Sequence, residues 1–214
     1  MSEKIRISSN VNAANDLVAR QNRALFARKK LPSLNMISSP GSGKTSVLER
    51  MAARMGTTLA VITGDIQTAF DADRLTRAGA TAVQIETGGA CHLTAAMVQN
   101  ALTSLDLDDK KLLVIENVGN LVCPAAFDLG EDKKIAVLSV AEGDEKPAKY
   151  PALFTRASVV LVNKIDLLPY VKFSIDRVQD DCRKLNRDII LFPLSCTTGE
   201  GFEEWMEYCE GLER

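Results

Sequence analysis

The sequence predicts a doubly wound α/β fold: a mostly parallel seven-stranded sheet with helices on both faces, of the P-loop type. Three observations carry this reading. Seven short apolar, β-branched runs recur along the chain, longer amphipathic stretches separate them, and Gly-rich or polar loop signals fall where the strands end. Short buried strands alternating with helices imply βαβ crossovers, whose helices cover a parallel sheet on both sides. At 214 residues, 46% hydrophobic and 25% charged, the chain has the size and composition of one folded domain, not of a disordered or fibrous protein.

The elements follow in order. Ahead of the first strand, Val11, Ala14, Leu17, Val18 and Leu25 fall on one helical face, Asn10 is placed to cap that helix, and Arg28, Lys29 and Lys30 near its end complement the helix dipole. Residues 1–33 therefore read as a helical extension packed on a single domain spanning 1–214. The strands are expected at 34–38, 58–63, 81–86, 111–116, 134–140, 158–163 and 188–195, with helical periodicity clearest over 45–55 and 92–105. Two longer loops, 117–132 and 141–151, follow strand ends, where functional residues of such sheets gather.

The 26 basic and 28 acidic residues leave a net charge of −2, which excludes a general attraction to nucleic acid or anionic lipid. No apolar stretch has the length of a signal-peptide core or a membrane span, so a cytoplasmic protein is expected. Five scattered cysteines do not form a disulfide framework. Cys182 and Cys209 fall in amphipathic C-terminal stretches and read as small apolar residues.

After the first strand comes SSPGSGKT, a Walker A loop whose first glycine is replaced by Ser38. Gly41, Ser42, Gly43, Lys44, Thr45 and Ser46 form the candidate phosphate cradle. Backbone N–H groups and a helix N-terminus wrap the phosphates, Lys44 reaches the β and γ groups, and the Thr45 hydroxyl is a ligand for Mg²⁺. The sixth strand delivers Asn163-Lys164-Ile165-Asp166, an NKxD sequence. The Asp166 carboxylate can accept from guanine N1–H and its exocyclic amine, a pattern adenine lacks, so GTP/GDP is the expected ligand pair. The Lys164 stem is placed to cover the base, and Ser195-Cys196 resembles the loop that meets guanine O6 in GTPases.

Between these motifs, Glu116-Asn117-Val118-Gly119 stands where many GTPases carry DxxG. Glu116 is a candidate for Mg²⁺, directly or through water, and the Gly119 N–H for the γ-phosphate. Asp65, after the second strand, is a second candidate for Mg²⁺ or the attacking water, so Lys44, Asp65 and Glu116 are the expected catalytic groups. Asp71, Asp73 and Arg74 read as a solvated helix start.

Cys91 and His92, where a strand gives way to a helix, pair a thiolate with the chain's only histidine, and both suit a borderline metal such as Ni²⁺ or Zn²⁺. Cys123 follows Glu116 by seven residues, in a loop expected to respond to the γ-phosphate. Three ligands leave a coordination position open for water, a partner chain or a client, which suits delivery better than structure.

With SSPGSGKT, GDIQTAFDADR, TGGACHL, ENVGNLVCP, EGDEKPAKYP, NKIDLLPY and SCTTGEG in that order, the chain resembles the HypB family, GTPases that help insert nickel into nickel–iron hydrogenase. The resemblance runs from the first helix nearly to the last residue. It implies slow, regulatory hydrolysis of GTP to GDP, a nucleotide- or metal-dependent homodimer, and Cys91, His92 and Cys123 as metal ligands beside the Mg²⁺ groups Thr45, Asp65 and Glu116. The partners it implies are a HypA-like nickel protein and the hydrogenase large-subunit precursor, and it brings Lys146 or Lys149 within reach of a partner's nucleotide. The chain opens MSEKIRISSN, without the Cys-rich or His-rich start of some members, so bulk nickel storage is not expected. The stretch Leu93-Thr94-Ala95-Ala96 supplies no further ligand for a second metal. A urease-type nickel-delivery GTPase and a metal-binding adaptor with incidental hydrolysis are the competing readings.

Overall fold

The computed structural model describes residues 7–65 and 70–213; the side chains of residues 7–12 and of Asp65 lie outside that description. In chain order the elements are α1 (Ile7–Lys29), β1 (Ser33–Ser38), α2 (Lys44–Met55), β2 (Leu59–Asp65), α3 (Phe70–Arg77), β3 (Thr81–Glu86), α4 (Ala95–Leu102) and β4 (Leu112–Glu116). The second half adds α5 (Cys123–Ala126), β5 (Lys133–Ser139), α6 (Lys146–Lys149), α7 (Pro151–Phe154), β6 (Ala157–Asn163), α8 (Ile175–Leu185), β7 (Ile190–Pro193) and α9 (Phe202–Glu210). All seven strands join one sheet in the order β3-β2-β4-β1-β5-β6-β7, and every pairing is parallel.

Alternation along the strands divides the core. On one face Leu34, Met36, Val114, Val137 and Leu161 pack with Val47, Leu48 and Met51 of α2 and Trp205 and Met206 of α9. On the other face, Ala136, Leu138, Val160 and Val162 meet α7 and α8, while Ile62, Leu113 and Ile115 meet α1 and α4. The period of two along each strand is what sends neighbours to opposite layers. β1 is central, with β4 on one side and β5 on the other, so the loops leaving β1 and β4 open into a common crevice at the carboxyl end of the sheet.

Three expectations are corrected. Helix α1 already runs from Ile7, so Asn10 lies inside it and does not cap it. Its packing face is rotated in part from the expected one: Val18 is half-buried and Leu25 packs against the core, but Ala14 and Leu17 are exposed, and Ala19, Asn22 and Phe26 are the buried residues. Asn22 explains the rotation, because its amide donates to Ala95 O (2.9 Å) and Leu129 O (3.0 Å), and Asn15 bonds Asp128 O and Ala95 N. A buried amide whose Nδ2 donates to two backbone carbonyls can occupy a packing face that a count of apolar residues assigns elsewhere. Val11 falls among the side chains outside the description.

The helix expected from residue 92 begins at Ala95, with Thr94 as N-cap, its hydroxyl accepting from Met97 N (3.3 Å). Cys91 and His92 consequently belong to a loop, free of helical geometry. Strand ends shift by a residue or two; the largest change is at β7, where only Ile190–Pro193 is in the ladder. Among the described residues, no helix is long and apolar enough to cross a membrane.

Candidate functional site

The loop after β1 and the N-terminus of α2 line a cleft of about 480 Å³ together with Glu116, Gly119, Asp71 and Arg74. Gly41 (φ 78°) and Gly43 (φ 97°) take the left-handed conformation that turns their N–H groups inward. A side chain at Gly43 would sit 2.3 Å from Asn163 Nδ2, so glycine also lets the NKxD strand press against the phosphate loop. The Lys44 ammonium, buried apart from its tip, donates to Ser38 Oγ at 2.7 Å. Ser38 replaces the usual first glycine and gives that lysine a neutral partner inside the loop.

Glu116, at the end of β4, is buried, and its Oε1 accepts from the Thr45 hydroxyl at 2.8 Å. Its Oε2 is buried and has no hydrogen-bond partner among the described residues. A hydroxyl and a half-satisfied carboxylate side by side form an oxygen donor set that fits Mg²⁺. Burial pushes the Glu116 carboxyl up to about 7, against the opposing effects of Lys44 and of the Thr45 bond; Asp71 raises it slightly and Arg74 lowers it. A carboxyl raised above its unfolded value of 4.5 adds stability that is complete below pH 4.5 and lost as pH rises through 7. In Mg²⁺- and nucleotide-free protein, the thermal midpoint of wild type relative to Glu116→Gln is therefore expected to fall by about 5 °C between pH 5 and pH 8. A pH-independent difference would show that Glu116 titrates normally.

The base end is organised around Asn163. Its Nδ2 donates to Ser42 O (3.0 Å), and its Oδ1 accepts from Lys164 N (2.7 Å) and Cys196 N (3.3 Å), tying the phosphate loop, NKxD and the loop after β7 into one unit. Lys164 Nζ reaches Gly41 O at 2.7 Å. Ser195 Oγ donates to Asp166 Oδ1 at 2.5 Å and accepts from Thr197 N and Thr198 N, so Ser195 orients the carboxylate. Burial pushes the Cys196 thiol up to about 11, which keeps it protonated.

Beside the cleft, the ligand atoms of Cys91, His92 and Cys123 all lie within 4.8 Å of one another. They come from separate stretches: Cys91 and His92 from the loop between β3 and α4, Cys123 from the first residue of α5. Cys91 Sγ stands 3.5 Å from His92 Nδ1, and the His92 ring stacks on Phe127 with centroids 4.0 Å apart. Burial pushes the imidazole down, toward the neutral form that has a lone pair for a metal. A hydrogen bond with the neighbouring Cys123 thiol pushes Cys91 up, and desolvation and the repulsion of two close thiolates add to it.

Sequence reasoning gave no site role to Phe127 or Asn117 and read Asp71 and Arg74 as a solvated helix start. Arg74 pairs with Glu49 (2.7 Å) and with Asp71, and this brings the start of α3 to the cleft rather than leaving it wholly solvated; Asp73 is exposed as expected. The two lysines of EGDEKPAKYP part company. Lys146 Nζ turns back to Ser39 Oγ (3.2 Å) in its own phosphate loop, while Lys149 pairs with Glu145 on the surface. Asp65 ends β2 beside the cleft residue Gly64, and its side chain lies outside the description.

Residues 32–193 match the family model described as the nucleotide-binding domain of CobW/HypB/UreG proteins. Over 208 residues the chain is 47% identical to the hydrogenase maturation factor HypB of Escherichia coli K12, covering 96% of this chain and 72% of that protein. It is 50% identical to HypB of Azotobacter vinelandii over 211 residues, 98% of this chain and 70% of the other. The crystal structure of Helicobacter pylori HypB in complex with nickel superposes with a TM-score of 0.87 at 40% identity, covering 91% of this chain and 93% of that one. By fold, motif order and sequence identity, this chain belongs to the HypB group of the CobW/HypB/UreG nucleotide-binding family.

Proposed function

We propose that the chain is a GTP-hydrolysing metallochaperone that assists nickel insertion into nickel–iron hydrogenase and couples metal binding to nucleotide state and dimerisation. The observation that carries this reading is the convergence of Cys91, His92 and Cys123 within 4.8 Å, on a loop that leaves the strand bearing Glu116 and on the loop after β3. Relatives named as hydrogenase maturation factors support the client, and a nickel complex of a 40%-identical protein supports the cargo.

In this mechanism the phosphate loop and Lys44 neutralise the phosphates, and Asp166, held by Ser195, selects guanine. Thr45 and Glu116, with Asp65 as the second carboxylate, would hold Mg²⁺, which would supply further charge neutralisation at the phosphates. Gly119 packs on Pro40, where a side chain would come within 3.0–3.1 Å, so the loop that leaves β4 lies against the phosphate loop and is placed to respond to the γ-phosphate. That loop ends at Cys123. Loss of the γ-phosphate then changes the distance between Cys123 and the Cys91–His92 pair, and the nickel ion passes to the acceptor. A homodimer, a HypA-like nickel protein and the hydrogenase precursor are the partners this sequence of events requires.

The test separates a chaperone driven by hydrolysis from an adaptor. Glu116→Gln is expected to lower GTP turnover by about 100-fold while the protein still binds GTP, and to leave hydrogenase inactive in cells that rely on this variant for maturation. Full hydrogenase activity with the hydrolysis-deficient variant would establish the adaptor reading instead.

A further inference from the structure

Asn117 follows Glu116 directly, is 1% exposed, and is hydrogen-bonded through its backbone N–H and both polar atoms of its side chain. Its backbone N–H donates to Met36 O in the neighbouring central strand (3.0 Å). Its side-chain Oδ1 accepts from Val118 N (3.0 Å) and, across 24 residues, from Leu93 N (3.1 Å). Its Nδ2 donates to Asn35 Oδ1 (3.2 Å), and Asn35 in turn donates to Glu131 Oε1 (3.1 Å). Glu131 accepts from Leu129 N (2.7 Å) and is paired with Lys134, whose ammonium also donates to Phe127 O (2.6 Å).

This buried chain begins at the strand end that carries the nucleotide carboxylate and reaches the metal centre at two points. Leu93 is the residue next to His92, and the Phe127 ring is the surface on which His92 stacks. A second contact arrives from β2. Leu93 lies so close to Gly64 that a Cβ there would meet three of its side-chain atoms at 2.7–2.9 Å, and Gly64 directly precedes Asp65. Leu93 is thus held by the ends of the two strands that bear the two cleft carboxylates, by a hydrogen bond on one side and by van der Waals contact on the other. Cys91 has a looser tie to the same loop, through Asn120 Nδ2 to its carbonyl at 3.4 Å.

We infer that Asn117 is a positioning residue for the metal centre: its side-chain carbonyl, gripping Leu93 N, sets where Cys91 and His92 stand relative to Cys123 and transmits the state of the Glu116 loop to them. The inference rests on the metallochaperone reading above and adds the joint through which that coupling passes. Because the Oδ1 that holds Leu93 also caps Val118 N, any displacement of the γ-phosphate loop pulls on both ends of one amide. In the buried setting an unmade bond at either end is costly, so a shift of Val118 is felt at Leu93 and re-sets Cys91 and His92 against Cys123.

The test uses Asn117→Leu, similar in reach and without polar atoms, together with Asn117→Ser, whose short hydroxyl can cap Val118 N but cannot span to Leu93 and Asn35. Nickel affinity is measured for each with GDP and with a non-hydrolysable GTP analogue, alongside the nickel–thiolate charge-transfer spectrum and the thermal midpoint. Wild type is expected to differ between nucleotides by about fivefold or more. In whichever variants fold, the ratio is expected to fall below about 2, with a shifted charge-transfer band. A purely structural role lowers the thermal midpoint alone. A folded variant that keeps both the wild-type spectrum and the wild-type ratio would overturn the inference and leave the metallochaperone reading intact. Equal nickel affinities in the two nucleotide states of wild type would overturn that reading, and the inference with it.

Discussion

Asp166→Asn is expected to lower GTP affinity by about 100-fold or more and to transfer preference to xanthosine triphosphate, measured by competition between the two nucleotides at fixed Mg²⁺. The size of the effect follows from geometry. The carboxylate is locked by Ser195 Oγ at 2.5 Å, and Ser195 is itself fixed by two backbone N–H groups, so the acceptor cannot rotate to accommodate a different base. An amide in its place presents a donor to guanine's donors. Xanthine, with a carbonyl where guanine has its amine, meets that donor. Unchanged guanine preference would mean that base selection resides elsewhere, and the Asn163 framework would then be scaffolding alone.

The second large effect is at the metal. Cys123→Ser is expected to weaken Ni²⁺ binding by more than about 100-fold, since loss of even an outer-shell partner costs 10–100-fold, and to remove any dependence of metal affinity on nucleotide. Guanine-nucleotide binding in the absence of metal should be within about twofold of wild type, because Cys123 does not line the cleft. Isothermal titration with Ni²⁺ in the GDP and GTP-analogue states reads both quantities. Retention of tight nickel binding by this variant would assign the ligands to other groups and leave the Cys91–His92 pair as a structural feature of the loop.

The parts of the site that were legible in the sequence are those whose chemistry is local. The GSGKT stretch needs only its own glycines, one lysine and the start of one helix, and it lies where the first strand ends. NKxD is local in the same way. Cys91 and His92 were visible as a pair because they are neighbours, and Cys123 because it follows Glu116 in one loop. Asn117, by contrast, reads as an ordinary strand-ending polar residue, since its function depends on Leu93 and Asn35, which are 24 and 82 positions away, and through Asn35 on Glu131, by bonds that no local pattern records. The same holds for the packing face of α1. Apolar spacing pointed to Leu17 and Ala14, while Asn15 and Asn22 decided the outcome by satisfying the backbone of α4 and the loop before β5.

The sequence by itself determined the α/β class, the seven strands, the phosphate loop, the NKxD motif and the three residues, Cys91, His92 and Cys123, whose side chains converge. Periodicity of two along strands, left-handed glycines and donor–acceptor matching act over a few residues, and they are written directly into residue order. Only the tertiary structure decided that Ser38 takes up Lys44, that Glu116 is buried with one oxygen unpaired among the described residues, that Lys146 turns inward while Lys149 does not, and that Asn117 ties the nucleotide loop to the residue beside His92. Each of these depends on which strands become neighbours. A parallel sheet brings distant stretches together at one edge, where burial raises the cost of every unpaired polar atom and so selects a single arrangement.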